Sequence, residues 1–376
     1  MPDSPLPRLS LCMIVRNERA DLPSCLDSVR GLAEEMVIVD TGSTDGTQEI
    51  ARLRGAVVIE AVWADDFSAA RNAGLERATG AWILVMDADE SLPEAGAAEI
   101  HRLIRREPTE AFTVVTRSAD RSTGQHTRGE IVRLFPNRPQ VRYGFPIHES
   151  VNRSLVLAGI PIRASGIELV HSGYATAEEL AAKTVRNRRI IEGALAGNPA
   201  PELELHLLYY RASGFYDAGD FPRAAEEFEL CLRKIGRQDR KLSAIARLRA
   251  AECHFIAADD ARALALLPEP EEGTLHPAAL CLRAQIDVRA GRPGPAAGWC
   301  EAVLRAPDSA YSPPVSLGVL KFKALVILAS LWADRGRKEV AVGILRLARG
   351  IQRGERDGAL SDVAELYAEI VRRPPR

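Results

Sequence analysis

At 376 residues, with 46% hydrophobic and 27% charged residues, the chain has the composition of a soluble globular protein of two or three domains. Its 49 Lys and Arg nearly balance 51 Asp and Glu, and no part is strongly basic, which argues against nucleic acid as a partner. Residues 1–8 hold no apolar leader core and no apolar run approaches the ~18 residues of a membrane span, so a cytoplasmic location without a transmembrane segment is expected.

The chain opens as alternating strands and helices. Leu9–Val15 reads as a strand ending at Arg16-Asn17-Glu18, and Leu22, Leu26, Val29 and Leu32 have helical spacing. Met36–Val39 is a second strand, ending at Asp40 and the turn-rich Thr41-Gly42-Ser43-Thr44-Asp45-Gly46; a helix follows with Ile50, Ala51 and Leu53. Val57–Glu60 is a third strand, Ala69–Ala78 a helix, and Trp82–Met86 a fourth strand that runs into Asp87-Ala88-Asp89-Glu90. This alternation predicts a Rossmann-like, mostly parallel sheet covered by helices. Ligands bind such sheets beyond the carboxyl ends of the strands, where these polar clusters fall.

From about Thr176 the strand signal stops. Thr176 and Glu179 have capping-box spacing. Leu208, Ala212, Phe215, Gly219, Phe221, Ala224, Phe228 and Cys231 then follow the large, small, aromatic and turn-glycine pattern of a tetratricopeptide hairpin. Leu325, Leu328, Ala329, Trp332, Gly336, Ala341, Leu345 and Ala348 repeat it, and degenerate hairpins are expected near 244–267 and 277–304. A last helix near 361–371 would cap the array. The expected division is an α/β domain over 1–175, a linking helix over 176–204 and a helical repeat domain over 205–376. The six cysteines form no CxxC pair and sit in apolar patterns, so they read as core residues.

Three constellations carry chemistry. Asp87 and Asp89, two apart after a buried strand, leave the sheet on one face; their repulsion is relieved by a hard divalent cation, which also binds phosphates. A solvated acidic turn is the plain alternative. Asp40 ends a run that ought to be buried, so its charge needs a partner or a ligand; Asp45 or Ser43 beyond it suits a helix cap. Arg71, early in a helix of small residues, suits a phosphate, or else pairs with Asp40 or Asp87.

Met13-Ile14-Val15-Arg16-Asn17-Glu18, Val37-Ile38-Val39-Asp40 with Gly42–Thr47, Ala70-Arg71-Asn72-Ala73-Gly74 and Leu84–Glu90 together resemble the family 2 glycosyltransferases, inverting enzymes of the GT-A fold, over roughly residues 8–175. The resemblance implies a nucleotide-diphosphate sugar as donor, a UDP-sugar being favoured, with Mn²⁺ or Mg²⁺ as cofactor. It implies that Asn17, Glu18, Asp40, Arg71 and Asp87 bind the donor and that Asp87 and Asp89 hold the metal. The order of an α/β domain before tetratricopeptide hairpins is similar to a bacterial subgroup that includes peptide S-glycosyltransferases. In that subgroup an Ile147-His148-Glu149 segment followed by His171-Ser172-Gly173-Tyr174 is familiar. Glu149 is accordingly the candidate base, with Glu90 as its rival, and His171 a candidate third metal ligand. The acceptor would be a hydroxyl or thiol on a peptide, protein or glycan, and the repeats could pair two copies of the chain. The competing readings are an inactive tetratricopeptide adaptor and a nucleotidyltransferase. The latter is disfavoured because Met13–Glu18 has no glycine for a phosphate loop.

Overall fold

The computed structural model describes residues 9–119, 126–171, 177–235, 240–268, 276–307, 317–352 and 362–372. The chain divides into two compact units, Met1–Pro199 and Ala200–Arg376. Among the described residues no helix is long and apolar enough to cross a membrane.

The first unit runs β1 (Leu9–Val15), α1 (Leu22–Ser28), β2 (Glu35–Asp40), α2 (Thr47–Leu53), β3 (Val57–Glu60), α3 (Phe67–Arg77), β4 (Trp82–Val85), β5 (Glu90–Ser91), α4 (Glu94–Leu103), β6 (Ala111–Ala119), β7 (His126–Pro136), α5 (Asn152–Leu157), β8 (Ile162–His171) and α6 (Ala177–Ala196). The strands form one sheet in the order β3-β2-β1-β4-β7-β6-β8-β5. β3, β2, β1 and β4 are mutually parallel, whereas β7 is antiparallel to β4 and to β6. The sheet is therefore mixed, with the expected parallel half at one side. Alternation sends Leu9, Leu11, Met13 and Val15 of β1 into one apolar cluster and Cys12 into another, which buries both faces.

α1 is shorter than the periodicity predicts. It ends at Ser28 because the chain reverses through Gly31, which takes a φ of 79° that favours glycine, before β2 begins. Leu32 still packs on the core, but from the turn. Thr176 of the predicted cap lies outside the described residues, as do Ser172, Gly173 and Tyr174 of the His171 segment.

The second unit is helical, with α7 (Pro201–Asp217), α8 (Phe221–Ile235), α9 (Arg240–Ile256), α10 (Asp260–Leu266), α11 (Pro277–Arg289), α12 (Pro293–Arg305), α13 (Leu317–Asp334), α14 (Lys338–Gln352) and α15 (Val363–Arg372). The motif residues Ala212, Ala224 and Phe228 share one buried cluster, with Phe215 and Phe221 packed against it, and Leu325, Leu328, Ala329, Ala341 and Ala348 share another. Gly219 and Gly336 make their turns at positive φ, 78° and 77°. All six cysteines are unpaired and buried, and burial pushes every thiol up, as suits core residues.

Candidate active site

β1, β2 and β4 end on one edge of the sheet, and strand order reverses there: the chain moves outward from β1 to β2 and β3, then returns to the other side of β1 as β4. This is the switch point at which open α/β sheets leave a crevice.

The loop after β1 is built onto the loop after β2. Asn17 N donates to Ser43 Oγ at 2.8 Å, Asn17 Oδ1 accepts from Thr44 N at 2.8 Å, and Glu18 N donates to Thr47 Oγ1 at 2.9 Å. Asn17 adopts φ 58°, a left-handed conformation that asparagine tolerates better than most residues. Asp45 accepts from Thr47 N and Oγ1, so it, rather than Ser43, braces the start of α2. Much of the polar Thr41–Thr47 segment is thus spent on holding Asn17 and Glu18 in place. Burial, and then the charges of Asp89, Asp21, Asp87 and Asp45, push Glu18 up to about 7.

Asp40 is 1% exposed at the end of β2. Its Oδ1 accepts from Gly42 N, Ser43 N and Gln48 Nε2 at 2.9–3.0 Å. Its Oδ2 is buried and has no hydrogen-bond partner among the described residues. A buried carboxylate oxygen without a donor is costly, which marks it as an atom with a ligand to gain.

Arg71, on α3, pairs with Asp87, as the sequence allowed, and with Glu149. Its Nη2 donates to Asp87 Oδ1 at 3.1 Å, its Nε to Glu149 Oε1 at 2.6 Å, and its guanidinium lies over the Tyr143 ring. Asp87 Oδ2 accepts from Arg133 Nη2 at 2.7 Å, and the same nitrogen reaches Glu90 Oε1 at 3.2 Å. Burial alone pushes Asp87 up, but Arg133 and then Arg71 hold its carboxyl far below the usual range. Glu90 is buried beneath this pair. Its Oε2 accepts from Asp87 N, and desolvation outweighs the pull of Arg133 to raise it. The two candidate bases therefore differ in access: the Glu149 side chain is 13% exposed and that of Glu90 is 2%.

Asp89 and His171 meet because β5 pairs with β8, Glu90 opposite His171. Asp89 Oδ2 lies 2.9 Å from His171 Nε2, both side chains about 30% exposed. Burial raises Asp89, His171 opposes, and Asp87 adds to the rise. His171 Nδ1 is buried and has no hydrogen-bond partner among the described residues. Among those residues no three His, Cys, Asp or Glu side chains are gathered as a ready-made metal site. Two of the three expected ligands, Asp89 and His171, are adjacent, while both Asp87 oxygens are taken by arginines.

Arg133, Tyr143 and Asn72 were not singled out by sequence. Arg133 reaches the edge because β7 is antiparallel to β4: Leu84 faces Leu134, so Arg133 stands one step toward the carboxyl end of β4. The available signal was a lone charge inside the apolar run Ile131–Phe135. Asn72 clamps the Tyr143 backbone, its Nδ2 donating to Tyr143 O at 3.0 Å and its Oδ1 accepting from Tyr143 N at 2.8 Å.

Residues 10–155 match the family model described as glycosyl transferase family 2. They form a family 2 glycosyltransferase domain. The site residues described above lie in or just after the matched segment. The chain is 45% identical over 149 residues to a TPR repeat-containing protein of Synechococcus elongatus, spanning 40% of this chain and 36% of that protein. It is 30% identical over 221 residues to the glycosyltransferase SunS of Bacillus subtilis, spanning 54% of this chain and 51% of that one. The chain thus spans about half or less of the length of these curated relatives. Among solved structures, S. aureus TarS aligns with a TM-score of 0.41 and 14% identity over 68% of this chain and 54% of that one.

Proposed function

We propose that the chain is an inverting glycosyltransferase that moves a sugar from a nucleotide-diphosphate sugar to a hydroxyl or thiol. The observation that carries this reading is that a family 2 domain pairs Arg71 with Asp87 and Asp89 with His171 after β4, with buried Asp40 at the end of β2 on the same strand-end edge. Asp40 Oδ2 accepts from the base or ribose of the donor, the role for which its missing partner suits it. Asn17 and Glu18 border the nucleotide. Asp87, fixed by two arginines, holds the donor side of the site in register rather than swinging freely.

Asp89 and His171 Nε2 would hold a divalent cation, since one carboxylate oxygen and one imidazole nitrogen suit Mn²⁺ or Mg²⁺. When bound, that cation supplies positive charge to the departing diphosphate. Glu149, aimed by Arg71, takes the proton from the acceptor hydroxyl or thiol as that atom attacks the anomeric carbon. The bond from that carbon to the diphosphate oxygen breaks, its electron pair leaves with the diphosphate, and configuration inverts. Glu90, buried on Asp87 N and Arg133, is assigned to positioning. Catalysis is assigned to residues 1–175, with 176–204 linking them to a repeat domain over 205–376 that presents a peptide, protein or glycan acceptor.

Calorimetric titration of the full chain and of Asp89→Ala with UDP-, GDP- and dTDP-sugars, with and without Mn²⁺, tests this reading. Metal-dependent binding of one donor, lost in the variant, is expected. No donor binding under any condition would leave a helical-repeat adaptor as the better account.

A further inference from the structure

α6 lies beyond the segment matched by the family, and its charged residues are not equivalent to one another. Arg188 is paired with Glu192 at 2.8 Å and Arg189 with Asp65 at 2.5 Å. Arg186, half-buried and just before them in sequence, reaches no carboxylate at ion-pair distance among the described residues. Its Nε and Nη2 both donate to Asn187 Oδ1, at 3.2 and 3.0 Å, and its guanidinium lies over the Phe67 ring at 4.9 Å. Phe67 opens α3, the helix that carries Arg71 one turn later, and packs edge-on against Trp63 at 4.7 Å. Trp63 Nε1 donates to Asp65, the same carboxylate that holds Arg189. An aromatic wall and an ion pair thus fix this face of α6 beside the site.

Three charged groups are near enough to act on Arg186. After burial, Arg16 pushes it down, Glu149 opposes, and Arg189 adds to the fall. Arg16 follows β1 at the ligand edge, and the Glu149 carboxylate is already engaged by Arg71 at 2.6 Å. Around Glu18 the field is the reverse, with Asp21, Asp45, Asp87 and Asp89 all raising its carboxyl. The site therefore has an acidic side, which suits a cation, and a basic side whose half-buried guanidinium suits an anion.

We propose that Arg186 and Arg16 form an anion subsite for the diphosphate of the donor, so that a helix outside the family 2 match completes the donor site. This rests on the donor reading given above. A planar guanidinium held flat by Phe67 keeps its remaining N–H groups in one plane, the arrangement that grips two phosphate oxygens at once. Charge leaving the sugar would collect at this arginine.

The test is direct binding to the full-length chain of UDP and GDP and of the corresponding monophosphates, for wild type, Arg186→Met and Arg186→Lys. Methionine keeps an unbranched apolar chain over Phe67 while removing the charge. The expected result is about a tenfold loss of diphosphate affinity in Arg186→Met with monophosphate affinity held within about twofold, and partial recovery in Arg186→Lys. Equal weakening of both nucleotides would show a structural role and overturn the proposal. So would unchanged diphosphate affinity with a raised acceptor KM, since the anion would then belong to the acceptor. A wild type that binds neither diphosphate nor any nucleotide sugar would instead sink the donor reading, and this inference with it.

Discussion

Arg133 balances two carboxylates at once, and its own side chain is only 7% exposed. Removing one member of such a group leaves a buried charge without compensation, which costs more than the intact pair contributes. Arg133→Met is expected to destabilise the fold by about 3 kcal/mol, read by urea denaturation, and Arg133→Met with Glu90→Gln should recover part of that loss. An undiminished midpoint in the single variant would show that Glu90 and Asp87 find other partners. Glu18 makes a pH prediction. Its folded value of about 7 stands above its ordinary 4.5, so the folded state binds its proton more tightly than the unfolded one does. Its contribution to stability is then complete below about 4.5 and is lost as pH rises through about 7. On metal-free protein, Glu18→Gln should gain on wild type in melting temperature as pH goes from 5 to 8; a constant difference would contradict the assignment. Neither residue's role could be read locally. Arg133 belongs to a strand whose register with β4 brings it to the edge, and Glu18 owes its shift to burial and then to acids from three separate loops.

The element that carries Glu149 is a loop rather than a helix or strand. Between Tyr143 and Ser150 it holds Phe145 at φ 72° and His148 at φ 52°, conformations that cost energy in residues other than glycine. It is tied down at several points: Gly144 and Ser150 exchange backbone hydrogen bonds, Phe67 N donates to Pro146 O, and Asn72 grips Tyr143. Asn72→Ala removes two of these bonds and should cost about 2 kcal/mol. If the clamp positions Glu149, turnover should fall more than donor affinity does. A proportionate loss of both, or of neither, would refute that role. The Ala70–Gly74 motif was legible as a motif, but its glycine acquires a reason only from packing. A Cβ on Gly74 would stand 3.3 Å from Val39 Cγ2, a tight approach, so the bare position lets α3 lie close against β2 without displacing that methyl.

At the scale of the whole molecule, the second unit carries apolar clusters of its own. They run from Tyr209 to Leu266, from Leu248 to Ile286 and from Leu280 to Val371. Stacked hairpins gain stability from their neighbours, and these clusters join successive hairpins. Residues 200–376 expressed alone are therefore expected to show a helical circular-dichroism spectrum and a cooperative thermal transition. A broad, featureless melt would mean that the repeats depend on the rest of the chain.

Much of the architecture was written in periodicity. Alternating apolar runs specified β1 to β4, and small and aromatic residues at hairpin spacing specified the α7–α8 and α13–α14 pairs, because local burial patterns follow directly from strand and helix geometry. Asp40, Arg71, Asp87 and Asp89 were legible for the same reason: each lies close to an element whose end the sequence marks. The tertiary structure alone decided the antiparallel return of β7, which delivers Arg133, and the β5–β8 pairing that sets His171 beside Asp89. It also decided the loop bonds that spend the Thr41–Thr47 hydroxyls on scaffolding. These contacts join residues 26 to 82 positions apart, and such distances are set by strand register rather than by any local sequence preference.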